Sequence, residues 1–221
     1  MLTRREFTTG ASVIALCAFA GLPRVAMAQR ADSVPPADLA ASGADLPDMA
    51  LGAENAPVTI IEYASMTCPH CAHFTIETFP KLKERYIDTG KVRYIFREFP
   101  LDALAAGASL LARCADKDKY FSLIDLLFQK QNEWAVNNPI EPLFNVVKQA
   151  GYSREAFNSC LDTRNNEASR KLLASIESIR NKASDKLKVQ STPTFFINGK
   201  RVTGALSIEE IEKEIAPYIK A

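Results

Sequence analysis

The sequence predicts an α/β fold with a helical domain inserted in the middle of the chain, and three observations carry that prediction. A strand, a helix and a second strand follow one another between Val58 and Arg97, every periodic segment from Leu101 to Lys188 is helical, and a strand pattern returns at Thr194-Phe195-Phe196-Ile197. Alternating strand and helix signals build a sheet covered by helices, whereas a long helical stretch between them marks an added layer.

Ahead of these elements, Met1 to Ala28 carries the pattern of an export signal. Thr3-Arg4-Arg5-Glu6-Phe7 leads into an apolar segment from Ala11 to Gly21, and Ala26-Met27-Ala28 offers a cleavage site before Gln29. The apolar segment falls short of the roughly 20 residues that span a bilayer, so no retained anchor is expected. Arg4-Arg5 with Phe7, and Arg24 near the cleavage site, are similar to a twin-arginine signal. Residues 29–55 are rich in Ala, Asp and Pro without periodic apolar positions and read as a mobile leader, too short for a dimerisation domain. A monomer is therefore expected.

Val58-Thr59-Ile60-Ile61-Glu62-Tyr63 reads as a largely buried strand. The helix that follows opens at Pro69 and carries Phe74, Phe79, Leu82 and Tyr86 at helical spacing, with a kink expected at Pro80. Gly90 closes it, and Val92-Arg93-Tyr94-Ile95-Phe96-Arg97 supplies a second strand, giving a β-α-β unit with a parallel crossover. Residues 101–188 hold three helical patterns, at Leu104, Ala108 and Leu111, at Tyr120, Ile124, Leu127 and Phe128, and at Leu172, Ile176, Ile179 and Ala183. Within this insertion Gly151 ends one helix and Ser153 caps the next. The sheet resumes with Thr194 to Ile197, turns at Asn198-Gly199 into Lys200-Arg201-Val202, and passes to a last helix capped by Ser207 and Glu210 and ending near Tyr218.

Charge excludes one class of function. Lys and Arg number 27 against 26 Asp and Glu, so nothing marks a nucleic-acid binder. Of the five cysteines, Cys17 lies in the expected signal, which leaves an even number for an oxidising compartment.

The chemistry points to Cys68-Pro69-His70-Cys71, placed where the first strand hands over to a helix. Two intervening residues put both sulfurs on one helical turn, and Pro69 suits the first helical position because its missing N–H leaves no bond unmade there. Cys68 then faces the unpaired N–H groups and the positive end of the helix, which stabilise a thiolate and lower its pKa. His70 would add a donor or partial cation, or else point to solvent with little influence. Glu62 stands inside an apolar strand, where a carboxylate needs a partner or a proton; pairing with Arg93 or Arg97 is one outcome. Cys114 and Cys160 lie in the insertion, either as two buried thiols or, as export favours, as a structural disulfide.

Other chemistries fit less well. Zinc would have to use Cys68, His70, Cys71 and His73, which are too close together to surround one tetrahedral ion. A c-type haem attachment fails because Ala72, not His, follows Cys71. A peptide-binding module with an incidental dithiol is a further alternative.

The order β-α-β, helical insert, hairpin and helix, with CPHC at the first helix and Thr192-Pro193-Thr194-Phe195-Phe196-Ile197-Asn198-Gly199 far downstream, resembles the DsbA-like thiol:disulfide oxidoreductases of the bacterial periplasm. The resemblance implies a thioredoxin fold formed by residues 56–100 and 189–221, a cis Thr192–Pro193 bond beside the dithiol, and a groove for unfolded peptide made by Phe and other apolar groups near Pro193. It implies that the Cys68–Cys71 disulfide is donated to reduced exported proteins through a mixed disulfide at Cys68, with no cofactor. It places an acid at Glu62 beneath the buried cysteine as a proton relay to Cys71. A membrane reoxidant similar to DsbB is the implied partner. Thr192, which precedes the proline, leaves an isomerase or reductase open as the alternative within this class.

Overall fold

The computed structural model describes residues 33–40 and 46–219. The expected signal, 1–28, lies outside the described residues. Chain order begins with a single turn, α1 (Pro36–Leu39), and a short strand, β1 (Met49–Leu51). Part of the expected leader is therefore built into the fold. Leu39, Leu46 and Met49 are buried, and β1 pairs antiparallel with the second long strand, Met49 opposite Phe96. Three residues are too few to show the period of a strand, so the segment reads as a linker until its pairing partner is known.

β2 (Val58–Ala64) leads into α2 (Pro69–His73), and the helical path continues through α3 (Phe79–Leu82) to β3 (Val92–Glu98). Around Pro80 the helix widens instead of breaking. The Phe79 N–H donates to the Phe74 carbonyl, five residues back, over Phe74–Thr78, and the Asp88 N–H does the same with Lys83. Proline has no N–H for the usual carbonyl four residues earlier, and a widened turn accommodates that loss without ending the helix.

The next stretch is helical: α4 (Ala103–Cys114), α5 (Tyr120–Gln129), α6 (Gln131–Trp134), α7 (Ile140–Val147), α8 (Arg154–Leu161) and α9 (Glu167–Asp185). Gly151, at φ 95°, closes the turn after α7, and the Ser153 hydroxyl accepts from the Ala156 N–H at the start of α8. Cys114 and Cys160 are bonded, with Cα atoms 6.2 Å apart, and so tie α4 to α8. Strands β4 (Thr194–Ile197) and β5 (Lys200–Thr203) form the expected hairpin, with Asn198 at φ 45° and Gly199 at φ 91°. Both central residues of such a primed turn need positive φ. α10 (Ile208–Ile215) opens on the Ser207–Glu210 capping box and stops short of Tyr218.

The five strands lie in the order β1-β3-β2-β4-β5, with β2 and β3 parallel and the other pairs antiparallel. β2 is thus interior, which is why its burial is nearly continuous. The alternation of side chains gives the sheet two chemically distinct faces. Ile60, Glu62, Tyr94 and Phe96 share one face, where Phe79 packs 4.8 Å from the Tyr94 ring and Tyr120 and Phe128 pack edge-on against Phe96. Tyr63 and Arg97 share the other, where Arg97 bonds Asp48, the Tyr63 hydroxyl and the Leu39 carbonyl.

Candidate active site

Cys68 occupies the N-cap of α2 with extended backbone (φ −81°, ψ 118°), and Pro69 is the first helical residue. The Cys68 carbonyl accepts from the Cys71 and Ala72 N–H groups, so its sulfur stands at the mouth of the helix as expected. Both cysteines are free thiols; Cys68 is 5% exposed and Cys71 fully buried. The Thr192–Pro193 bond is cis, and the Cys68 thiol donates to the Thr192 carbonyl at 3.2 Å.

The two sulfurs differ sharply in acidity. Cys68 is brought down to about 5, chiefly by a hydrogen bond from the Cys71 thiol; the Thr192 hydroxyl and the backbone N–H groups of Cys71 and His70 assist against the opposing effect of burial. Cys71 is driven far above the ordinary thiol range, first by burial and then by its bond to Cys68 and the nearby Glu62 charge. His70 contributes to the Cys68 thiolate through its backbone, while its side chain is exposed. The Thr192 hydroxyl oxygen is buried without a hydrogen-bond partner in the thiol state.

Glu62 is fully buried in β2. Its carboxyl is pushed up to about 8, first by burial, with the Tyr94 hydrogen bond acting against the rise and Cys68 adding to it. The alternative, a pairing with Arg93 or Arg97, does not form, because both lie on the other face of the sheet, where Arg97 bonds Asp48. Glu62 Oε2 instead accepts from the Tyr94 hydroxyl, and Oε1 has no partner.

Two contributors escaped the sequence. Tyr94 is one; only the register of β2 on β3 brings it to Glu62. The other is Gln131 of α6, whose side-chain amide donates to the carbonyls of Met66 at 2.8 Å and Cys68 at 3.1 Å. An insertion residue therefore holds the loop that presents the Cys68 sulfur. No signal near either residue announces this, since each partner lies tens of residues away.

Phe195 and Phe196 are fully buried, so no groove for peptide forms from them beside Pro193. They fill the core because β4 lies between β2 and β5 and both of its faces are covered. Exposed apolar surface lies instead by a groove that Thr67, the residue before Cys68, helps to line. Leu101 and Val136 are 50% and 41% exposed, and an open groove of about 590 Å³ is lined by Thr67, Asp102, Leu104, Ala135, Val136 and Asn137. His70 and His73 face solvent, and no group of three metal-ligating side chains is gathered among the described residues.

Residues 45–216 match a family model described as thioredoxin. A curated protein of Rickettsia prowazekii (strain Madrid E), named "Putative protein-disulfide oxidoreductase", is 35% identical over 170 residues, covering 76% of this chain and 60% of that protein. The chain thus spans less than two thirds of the length of that relative. "Probable disulfide bond formation protein D" of Bacillus anthracis is 31% identical over 157 residues, 67% of this chain and 69% of that one. The crystal structure of Wolbachia pipientis alpha-DsbA1 superposes with a TM-score of 0.70 at 33% identity, covering 78% of this chain and 92% of the other.

Proposed function

Because the chain belongs to the thioredoxin-like family of DsbA-type disulfide oxidoreductases, we propose that it is an exported dithiol oxidase that passes the Cys68–Cys71 disulfide to reduced, unfolded proteins in the periplasm. The observation that carries this reading is the placement of the two sulfurs, Cys68 at the open end of α2 and Cys71 fully buried, which makes their acidities unequal, favours the reduced pair and so makes the disulfide oxidising.

The steps follow from that inequality. A substrate thiolate attacks the Cys68 sulfur; the bond to Cys71 breaks, its electron pair goes to Cys71, and the buried sulfur takes a proton from the Glu62 carboxyl. A second substrate thiolate then attacks the substrate sulfur of the mixed disulfide. Cys68 leaves as a thiolate, two electrons have passed from substrate to enzyme, and Glu62 regains its proton from solvent. Pro193 holds the Thr192 carbonyl and hydroxyl against the reactive sulfur, and the apolar rim at Leu101, Leu104 and Val136 receives an unfolded chain. Return to the disulfide needs an electron acceptor, for which a membrane quinone reductase similar to DsbB is the natural partner. The enzyme acts as a monomer and uses no cofactor.

Each unit by which the thiolate is favoured below the working pH is worth about 30 mV in a two-electron couple. At pH 7 the span down to about 5 supplies on the order of 60 mV. Equilibration with glutathione should therefore place the potential well above the roughly −270 mV of thioredoxin. A value at or below that figure would transfer the chain to the reductase or isomerase reading.

A further inference from the structure

We propose that Tyr94 is the positioning residue of the buried acid: its hydroxyl fixes one oxygen of the Glu62 carboxyl and leaves the other free to pass a proton to and from Cys71. The proposal rests on the reading above in which Glu62 serves Cys71.

Tyr94 stands opposite Ile60 in the β2–β3 register, and Glu62 stands opposite Phe96. The phenol therefore crosses two residues along the sheet to reach Glu62 Oε2, while Oε1 stays buried without a partner. The ring cannot swing away easily. Its centroid is 4.8 Å from Phe79 and 6.4 Å from Phe121, and the residue is 3% exposed. A buried polar atom left unpaired is costly, and an active site is where such a cost is retained.

The surrounding charges explain why a phenol suits this place. The titratable groups that act on Glu62 and Tyr94 are Cys68 and Cys71 from α2 and Tyr120 from α5. The register neighbours of Glu62 are Phe96 on β3 and Phe195 on β4, neither of which titrates. None of these groups is a cation. A lysine or arginine here would pin Glu62 as a carboxylate, whereas a neutral donor steadies the anion while letting it take the proton back. Loss of the phenol hydroxyl should make the acid hold its proton more tightly.

The test follows Cys71 closing on a glutathione mixed disulfide at Cys68 in the full chain, with glutathione release measured against pH. In this step Cys71 loses its proton to the Glu62 carboxylate, the Cys68–Cys71 bond forms and glutathione leaves as a thiolate. The wild-type rate should show one inflection set by Glu62. In Tyr94→Phe that inflection should move up by about one to two units, the shift expected for losing a hydrogen bond to a charged group, with the high-pH plateau retained. In Glu62→Gln the inflection should vanish, and adding Tyr94→Phe to it should change nothing further. An unmoved inflection in Tyr94→Phe, beside its loss in Glu62→Gln, overturns the role of Tyr94 alone. Retention of the inflection in Glu62→Gln overturns the proton role of Glu62 and this proposal with it, and leaves the glutathione potential to judge the oxidase reading separately. Should Tyr94→Phe fold poorly, wild-type protein labelled with carbon-13 at tyrosine Cζ decides the matter. The Tyr94 signal must shift with the same midpoint as the Glu62 carboxyl, and a signal that ignores that midpoint overturns the proposal.

Discussion

At Cys68 a single proton decides which group of Thr192 the sulfur engages. As a thiol the sulfur donates to the Thr192 carbonyl at 3.2 Å, and the Thr192 hydroxyl is buried without a partner. As a thiolate it can only accept, and that hydroxyl becomes one of its donors. Thr192→Val removes the donor and keeps the shape, so the Cys68 midpoint should rise from about 5 by about one unit, read by thiolate absorbance against pH. His70→Ala keeps the backbone N–H through which His70 contributes, so its effect should be smaller than that of Thr192→Val. The reverse order would assign the larger role to the imidazole. Cys68, Cys71 and the cap geometry were legible in sequence because a proline-bearing dithiol after a strand fixes its own local structure. Tyr94 and Gln131 were not, because each acts across a distance that only the sheet register or the docking of the insertion supplies.

Among the elements, β1 shows what sequence periodicity misses. Its three residues add an edge to β3, and the neighbouring Asp48 sends its carboxylate to Arg97 with both bonds at 2.8 Å. The Arg97 side chain is 2% exposed and Asp48 17%, so the pair lies at the inner limit of the surface. Breaking a buried ion pair from one side costs about 3–5 kcal/mol, because the remaining charge is stranded. Since Asp48 keeps some solvent and Arg97 keeps Tyr63 and Leu39, Asp48→Asn should fall near the lower end, about 3 kcal/mol, or roughly 6–12 °C in melting temperature for a chain of this size. The Cys68 titration should not move, because Arg97 and Glu62 lie on opposite faces of the sheet. A melting temperature lowered by less than about 2–4 °C, the equivalent of about 1 kcal/mol, would mean that the N-terminal segment does not hold this position in solution. The longer elements behaved otherwise. β2, β3, the Asn198-Gly199 hairpin and the Ser207 cap were readable because each carries its own period or turn chemistry, whereas the widened turns around Pro80 and the strand pairing of β1 follow from which backbone groups find partners.

For the whole molecule, Cys68 and Glu62 pull stability in opposite directions. Cys68 in the reduced protein falls from 9.0 to about 5 on folding, so the unfolded chain binds more protons over that window. Its contribution is complete above about 9 and is lost as pH falls through about 5. Glu62 rises from 4.5 to about 8, so the folded chain binds more protons there, and stability drops as pH climbs from 4.5 to about 8. The reduced protein carries both slopes and the disulfide form lacks that of Cys68; Cys71, raised from 9.0, adds an opposing slope to the reduced form only above about pH 9, so below that the difference between the two forms reports Cys68. The slope for one proton is about 1.36 kcal/mol per pH unit, and screening at the mouth of the helix shortens the interval over which it acts to about half. Ring closure by the Cys68–Cys71 bond adds about 2 kcal/mol to the oxidised form, but that offset does not depend on pH. The sign of the difference at any one pH is therefore uninformative, and its slope decides. The melting temperature of the reduced protein should gain on that of the oxidised protein by about 4–8 °C between pH 5.5 and 8.5, from roughly 2 kcal/mol at 2–4 °C each. Parallel curves would mean that Cys68 enters the folded state no more acidic than in the open chain, and the oxidising power assigned to the pair would lose its source.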